Sequence, residues 1–262
     1  MKVISILCLY LACCSYLCPQ SIQIKYAGDA LPDKDRRQIE QFLNYEIEFY
    51  TQFGLPDTLS LQLTVFNNRK DGLAYLDSIG IHPSIRTSGL YSVRRKEAFL
   101  LGREKGREES LAIIYHELSH HLTRLITGER PPAWLMEGLA EYFAHCRITK
   151  KGLKHTLPSY ATGRVRTMYM LEEVNLKSFV DSDKSKFMKK QRTEEQYTYI
   201  LAHSLVTYWI EKVPGKTFKE FISALQDTAD DSPVSHKIDR IYPGGIQQLE
   251  KDFAAFANNR KQ

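Results

Sequence analysis

Two histidines four residues apart with a glutamate between them, His116, Glu117 and His120 in IIYHELSHHLT (113 to 123), are the side chains of this sequence best spaced for chemistry. Residues four apart on an α-helix share a face, so both imidazoles can turn a nitrogen toward one ion. Zinc takes such nitrogens at about 2.0 to 2.1 Å, and its catalytic sites typically combine three protein ligands with a water. Glu117 adjoins the first histidine and projects toward the water position, where a carboxylate can act as general base. The string alone is moderately specific, because it arises by chance in a chain of this composition with a probability of about 0.02. A further ligand on a following helix would raise its weight, and WLMEGLAEY (134 to 142) carries Glu137 with Glu141 one turn later on the same face. One of these carboxylates could bind the ion while the other orients a ligand histidine. Two neutral imidazoles and one carboxylate leave a dication site net positive, which favours ionisation of its water near neutral pH.

The elements that must hold these residues follow from periodicity. IQIKYAG (22 to 28) alternates like a half-buried strand, apolar residues from about Asp33 to Phe53 recur at helical intervals, and LSLQLTVF (59 to 66) reads as a second strand. RKDGLAYLDSIG predicts a short helix, and GLYSVRRKEAFLLG (89 to 102) predicts one or two strands leading into the histidine helix. In that helix Ile114, Leu118, Leu122 and Leu125 form an apolar stripe expected to face the core, leaving the histidines toward a cleft. Gly128, Pro131 and Pro132 mark a turn before a helix over 133 to 145. The basic stretch from Arg147 to Arg192 is expected to contain an exposed loop, with KSKFMKKQR (184 to 192) as solvated loop or as a shaper of access to the cleft. Helical periodicity returns in QYTYILAHSLVTYWIEK, KTFKEFISALQ and GIQQLEKDFAAFANN. The expectation is an α+β chain: an α/β lobe with a mixed sheet over 22 to 128, then a mainly helical lobe over 129 to 262 that carries the third ligand.

HELSH followed by WLMEGLAEY resembles the gluzincin metallopeptidases, thermolysin-like and aminopeptidase-N-like, and especially the smaller MA-like peptidase domains of exported bacterial proteins. The resemblance implies a thermolysin-like catalytic domain holding one zinc ion on His116, His120 and Glu137. It implies Glu117 as general base and acid, Glu141 as partner of a ligand histidine, and a peptide or protein substrate. YILAHSLVTYW resembles the segment that supplies an oxyanion-binding tyrosine in the aminopeptidase-like members; Tyr199 aligns, with Tyr197 the second choice. The strand that pairs with extended substrate in this family corresponds to Gly89, Leu90 and Tyr91, continuing to Val93. It lacks the glutamate with which aminopeptidases hold a free amino group, so the expectation leans to an endopeptidase. The rival readings are a non-catalytic zinc-containing envelope binding protein, against which Glu117 argues, and a zinc amidase acting on a cell-wall crosslink.

The remaining features set context. With 43% hydrophobic and 26% charged residues the 262-residue chain can build a sizeable core, and its net charge of +5 is scattered, which argues against nucleic acid as partner. MKVISILCLYLACCSYLC (1 to 18) has the pattern of a secretory signal peptide, so the expected location is the periplasm or cell envelope of a bacterium, or outside the cell. Cys8, Cys13, Cys14 and Cys18 lie in this leader; its removal leaves Cys146 and no internal disulfide, whereas lipidation of a leader cysteine would tether the protein to a membrane. His121 points about 100° away from His120, and with His145, His155 and His203 it is read as structural. Cys146 is read as a buried small hydrophobe and Trp134 as packing at the start of its helix.

Overall fold

A computed structural model describes residues 21–56, 59–128, 130–193 and 197–259. The leader, with its cysteines and the expectations of export and lipidation, lies outside them. Strand β1 (Ser21–Ala27) runs parallel to β2 (Ser60–Phe66), joined through helix α1 (Asp33–Thr51). The chain continues through α2 (Arg69–Ser78) into the hairpin β3 (Gly89–Ser92) and β4 (Glu97–Leu100). β4 lies parallel to β2, which gives a four-stranded mixed sheet of order β1-β2-β4-β3. Residues of alternating side sort to the two faces as a pleated strand requires. Leu61, Leu63, Val65, Ala98 and Leu100 enter the main core, while Phe66 and Phe99 meet Leu76 of α2 on the other side.

Helix α3 (Arg107–Thr127) packs against α1, the sheet and α4 (Ala133–Ala144). Then come the hairpin β5 (Cys146–Thr149) and β6 (Gly152–His155), and helices α5 (Ser159–Met170), α6 (Leu176–Val180), α7 (Lys184–Thr193), α8 (Tyr197–Glu211), α9 (Gly215–Gln226), α10 (Val234–Ile241) and α11 (Gly245–Asn259). The architecture is α+β as the sequence predicts. The two lobes are not separate bodies, because one cluster of buried apolar side chains runs from Leu31 to Ala257. Among the described residues no helix is long and apolar enough to cross a membrane.

α4 lies between α3 and α8, and Gly138 lets it come close to α8: a β-carbon there would sit 2.5 Å from Val206 Cγ2 and 2.6 Å from the Ala202 carbonyl oxygen. Trp134 is fully buried at the start of α4 and stacks on Phe221 of α9.

Two expectations are corrected. The stretch 184 to 192 is not a solvated loop but helix α7, whose Phe187 is buried against Phe179 and Tyr199 while Lys184 and Lys186 stay outside. Asp183 accepts a hydrogen bond from the Lys186 amide at 2.8 Å, a helix-start signal that the density of lysines obscured. In α3 the core stripe ends on Ile126 rather than Leu125, which is 37% exposed. The neighbour decides this: α9 reaches the last turn through Gln226, whose side-chain amide donates to the Ile126 carbonyl at 2.7 Å.

Candidate metal centre

α3 is pinned along one side by α1. Phe42 stacks on Tyr115 with centroids 3.5 Å apart, Tyr50 and Thr123 share a hydrogen bond of 2.7 Å, and Ser119 donates to the buried Glu46. The other side of α3 presents His116 and His120 to α4. Their rings lie 4.8 Å apart, and one carboxylate oxygen stands opposite both: Glu137 Oε2 is 3.5 Å from His116 Nε2 and 3.7 Å from His120 Nε2. Two ligands on a tetrahedral ion with bonds of about 2.05 Å are separated by about 3.4 Å, so both spacings suit an ion between them. Glu137 Oε2 is moreover buried and accepts no hydrogen bond of good geometry, an orphaned anionic oxygen that a cation would satisfy. The residues present therefore fit a divalent ion, and imidazole with carboxylate is a donor set for zinc and its neighbours in the first transition row.

Glu141, one turn after Glu137, places Oε1 3.3 Å from His116 Nδ1. That contact fixes the ring so that Nε2 faces the cluster, the usual arrangement around a metal-bound histidine. The charges are strongly coupled. Burial opposes a proton on His116, but the adjoining carboxylates of Glu137 and Glu141 outweigh it and hold its pKa well above the ordinary histidine value. Burial pushes His120 down to about 4, the neutral state a ligand needs. Burial also works against ionised Glu137, yet His120 and His116 beside it hold its carboxyl at about 2. The cluster thus gathers positive charge onto a buried carboxylate.

Glu117 is 8% exposed, and burial, with the carboxylates of Glu137 and Glu141 nearby, lifts its pKa to about 7 against the opposing charge of His116. Strand β3 sets its position. The Tyr91 backbone amide hydrogen-bonds to it, and Gly89 packs so closely that a β-carbon there would lie 2.7 Å from Glu117 Oε1. Because β3 is the last strand of the sheet, its outer backbone edge has no strand partner among the described residues. Leu90 faces the small cluster on the α2 side of the sheet. The Tyr91 hydroxyl meets His121 Nδ1 at 2.8 Å, so His121 is packed away from the ion position as its helical angle predicts.

The two candidate tyrosines separate. The Tyr199 hydroxyl lies 4.0 Å from Met188 Sδ, and burial together with the nearby carboxylates of Glu137 and Glu117 raises its pKa far above the ordinary value, so it is a neutral donor. Tyr197 is 3% exposed and donates to the Glu173 carbonyl at 2.9 Å instead. Cys146 is buried, its thiol donating to the Tyr142 carbonyl at 3.4 Å, and burial raises its pKa so that it offers no thiolate.

Two features escaped the sequence reading. Lys184, at the start of α7, brings a positive charge to bear on His120 and Glu137, which no spacing rule connects to them. His145, His155 and His203, unrelated in sequence, come together beside Glu141.

No curated protein matches the chain. A family described as a protein of unknown function (DUF1570) matches residues 110–235, a span that takes in α3, α4 and α8 and hence every residue of the cluster together with Tyr199.

Proposed function

We propose that this protein is a zinc-dependent metallopeptidase of the gluzincin type, with His116, His120 and Glu137 as zinc ligands. The observation that carries the reading is the seat of Glu117: its carboxylate lies against both the three-residue cluster and the edge strand on which an extended peptide would pair. Bound zinc would supply Lewis-acid polarisation of the scissile carbonyl and make a water acidic near neutral pH. Glu117, with its pKa near 7, takes the proton from the attacking water and later gives it to the leaving amine. Tyr199, neutral and facing the same space, donates to the oxyanion as charge develops there. Glu141 holds the His116 ring in place. Apart from the Tyr91 amide, which is hydrogen-bonded to Glu117, the outer edge of β3 offers its backbone groups to the substrate chain, with no carboxylate on Gly89, Leu90 or Tyr91 to claim a free amino terminus. That favours an endopeptidase, and the secretory pattern of the first 18 residues favours a place in the cell envelope or outside the cell.

Mass-spectrometric profiling of a diverse peptide library with the zinc-loaded protein and its Glu117→Gln variant tests this. The expected result is internal cleavage by the first and a loss of about 10²-fold or more in the second, with zinc content unchanged. Equal cleavage by both, or none by either in the presence of bound zinc, would overturn it.

A further inference from the structure

Three of the histidines outside the first cluster are gathered beside Glu141. His145 ends α4, His203 lies in α8 at 3% exposure, and His155 closes β6 with a side chain 3% exposed. The His145 and His203 ring centroids are 4.7 Å apart, nearly the 4.8 Å that separates His116 from His120. Glu141 completes the arrangement from the helix that also carries Glu137. Its Oε2 lies 3.6 Å from His145 Nδ1, which donates to the Glu141 backbone carbonyl at 2.9 Å and so leaves Nε2 as the ring nitrogen that can bind an ion. One ligand atom from each of Glu141, His145 and His203 falls within 4.8 Å of the others, so the donor types of the first cluster recur: two imidazoles and one carboxylate.

We propose that Glu141, His145 and His203 form a second binding site for a divalent transition-metal ion of the zinc class, sharing the Glu141 carboxylate with the His116 side of the first. Imidazole and carboxylate together select that class over magnesium or calcium. His155 Nε2 and His203 Nε2 approach to 2.9 Å, so the two rings share one proton on that axis, while His155 Nδ1 is oriented by Glu211 Oε1 at 3.3 Å. His155 thereby holds the His203 ring from behind. An ion on these ligands ties the end of α4 to α8, the two helices that carry Glu137 and Tyr199. Through Glu141 it also draws on the same carboxylate that orients His116, so the two sites are electrostatically linked.

The test counts metal in the full chain equilibrated with micromolar free zinc, and repeats the count with cobalt(II), whose visible absorption reports the ligand field. The expected result is two ions per chain for the wild type, one for His116→Ala, and one for each of His145→Gln and His203→Gln. His145, at a helix end with a side chain 31% exposed, gives the milder change if the fully packed His203 disturbs folding. One ion in the wild type and none in His116→Ala would overturn the proposal. So would two ions persisting in both His145→Gln and His203→Gln, which would put the second ion elsewhere. His116→Ala reads this site without the first, so the outcome is independent of whether the protein cleaves peptides.

Discussion

Tyr199 and Tyr197 are two residues apart on one helix and have opposite surroundings. The hydroxyl of Tyr199 feels the carboxylates of Glu137 and Glu117 and lies 4.0 Å from the weak acceptor Met188 Sδ, whereas that of Tyr197 is spent on the Glu173 carbonyl. Tyr199→Phe is therefore expected to lower kcat by about 10² to 10³-fold with KM and zinc content little changed, as for loss of a single oxyanion donor. Tyr197→Phe should leave kcat alone and cost about 1 kcal/mol of stability, the usual worth of one hydrogen bond. Steady-state kinetics and thermal unfolding of the two variants, side by side, give the answer. Equal kinetic loss in both would mean that neither hydroxyl contacts the reacting atoms. Glu141 acts at the same scale but through another residue: with its Oε1 3.3 Å from His116 Nδ1, Glu141→Gln is expected to weaken zinc at the first site by about 10 to 100-fold. A competition titration against a chelator measures it.

Among the elements, α4 and β3 matter most, because each approaches its neighbour at a glycine. β3 reaches Glu117 at Gly89, where a β-carbon would lie 2.4 Å from Ile113 Cγ2 as well as 2.7 Å from Glu117 Oε1. Gly89→Ala must push the Glu117 carboxylate or the strand aside. A displacement of about 1 Å can cost about 10²-fold in rate, so cleavage should fall by that order while zinc content stays intact; unchanged kinetics would show that β3 does not set the base. Gly138 is the counterpart between α4 and α8, with the Ala202 backbone as well as the Val206 side chain in the way. Gly138→Ala is expected to destabilise by about 1 to 3 kcal/mol, the range for overpacking, visible in chemical denaturation as a lower midpoint with an unchanged slope.

For the molecule as a whole, one apolar core runs through both lobes, and a buried acid beneath α3 is expected to make its stability depend on pH. Glu46 is fully buried in α1, and loss of hydration raises its pKa from 4.5 to about 8 despite the hydrogen bond from Ser119. The unfolded chain releases this proton near pH 4.5, while the folded chain keeps it until about pH 8. In that window the folded state binds more protons, so this contribution to stability is full at low pH and declines as pH rises from about 4.5 to about 8. Glu46→Gln should remove that slope, and it should be more stable than the wild type above about pH 8 by roughly a few kcal/mol. Urea unfolding of both proteins across pH 5 to 9 measures the difference; parallel curves would mean that Glu46 is not the group responsible.

The sequence alone determined what depends on local spacing. His116 and His120 must share a helical face because four residues make about one turn; the alternation in IQIKYA had to give a strand, and WLMEGLAEY had to place its two glutamates one turn apart. The resemblance carried by these motifs named His116, His120 and Glu137 together, and the fold gathers one nitrogen or oxygen of each within 4.8 Å of the others. Tertiary structure decided what depends on how far elements approach one another. Whether Tyr199 or Tyr197 faces the cluster is a matter of how α8 is rotated against α4, which the periodicity of a helix buried nearly all round does not encode. Lysines hid the helix over 184 to 192 because its apolar face is only Phe187 and Met188, and these acquire meaning from the partners they cover. The gathering of His145, His155 and His203 beside Glu141 is the extreme case. No spacing rule joins residues on a helix end, a hairpin strand and a distant helix, and only the close packing of α4 on α8 at Gly138 brings them within reach of one another.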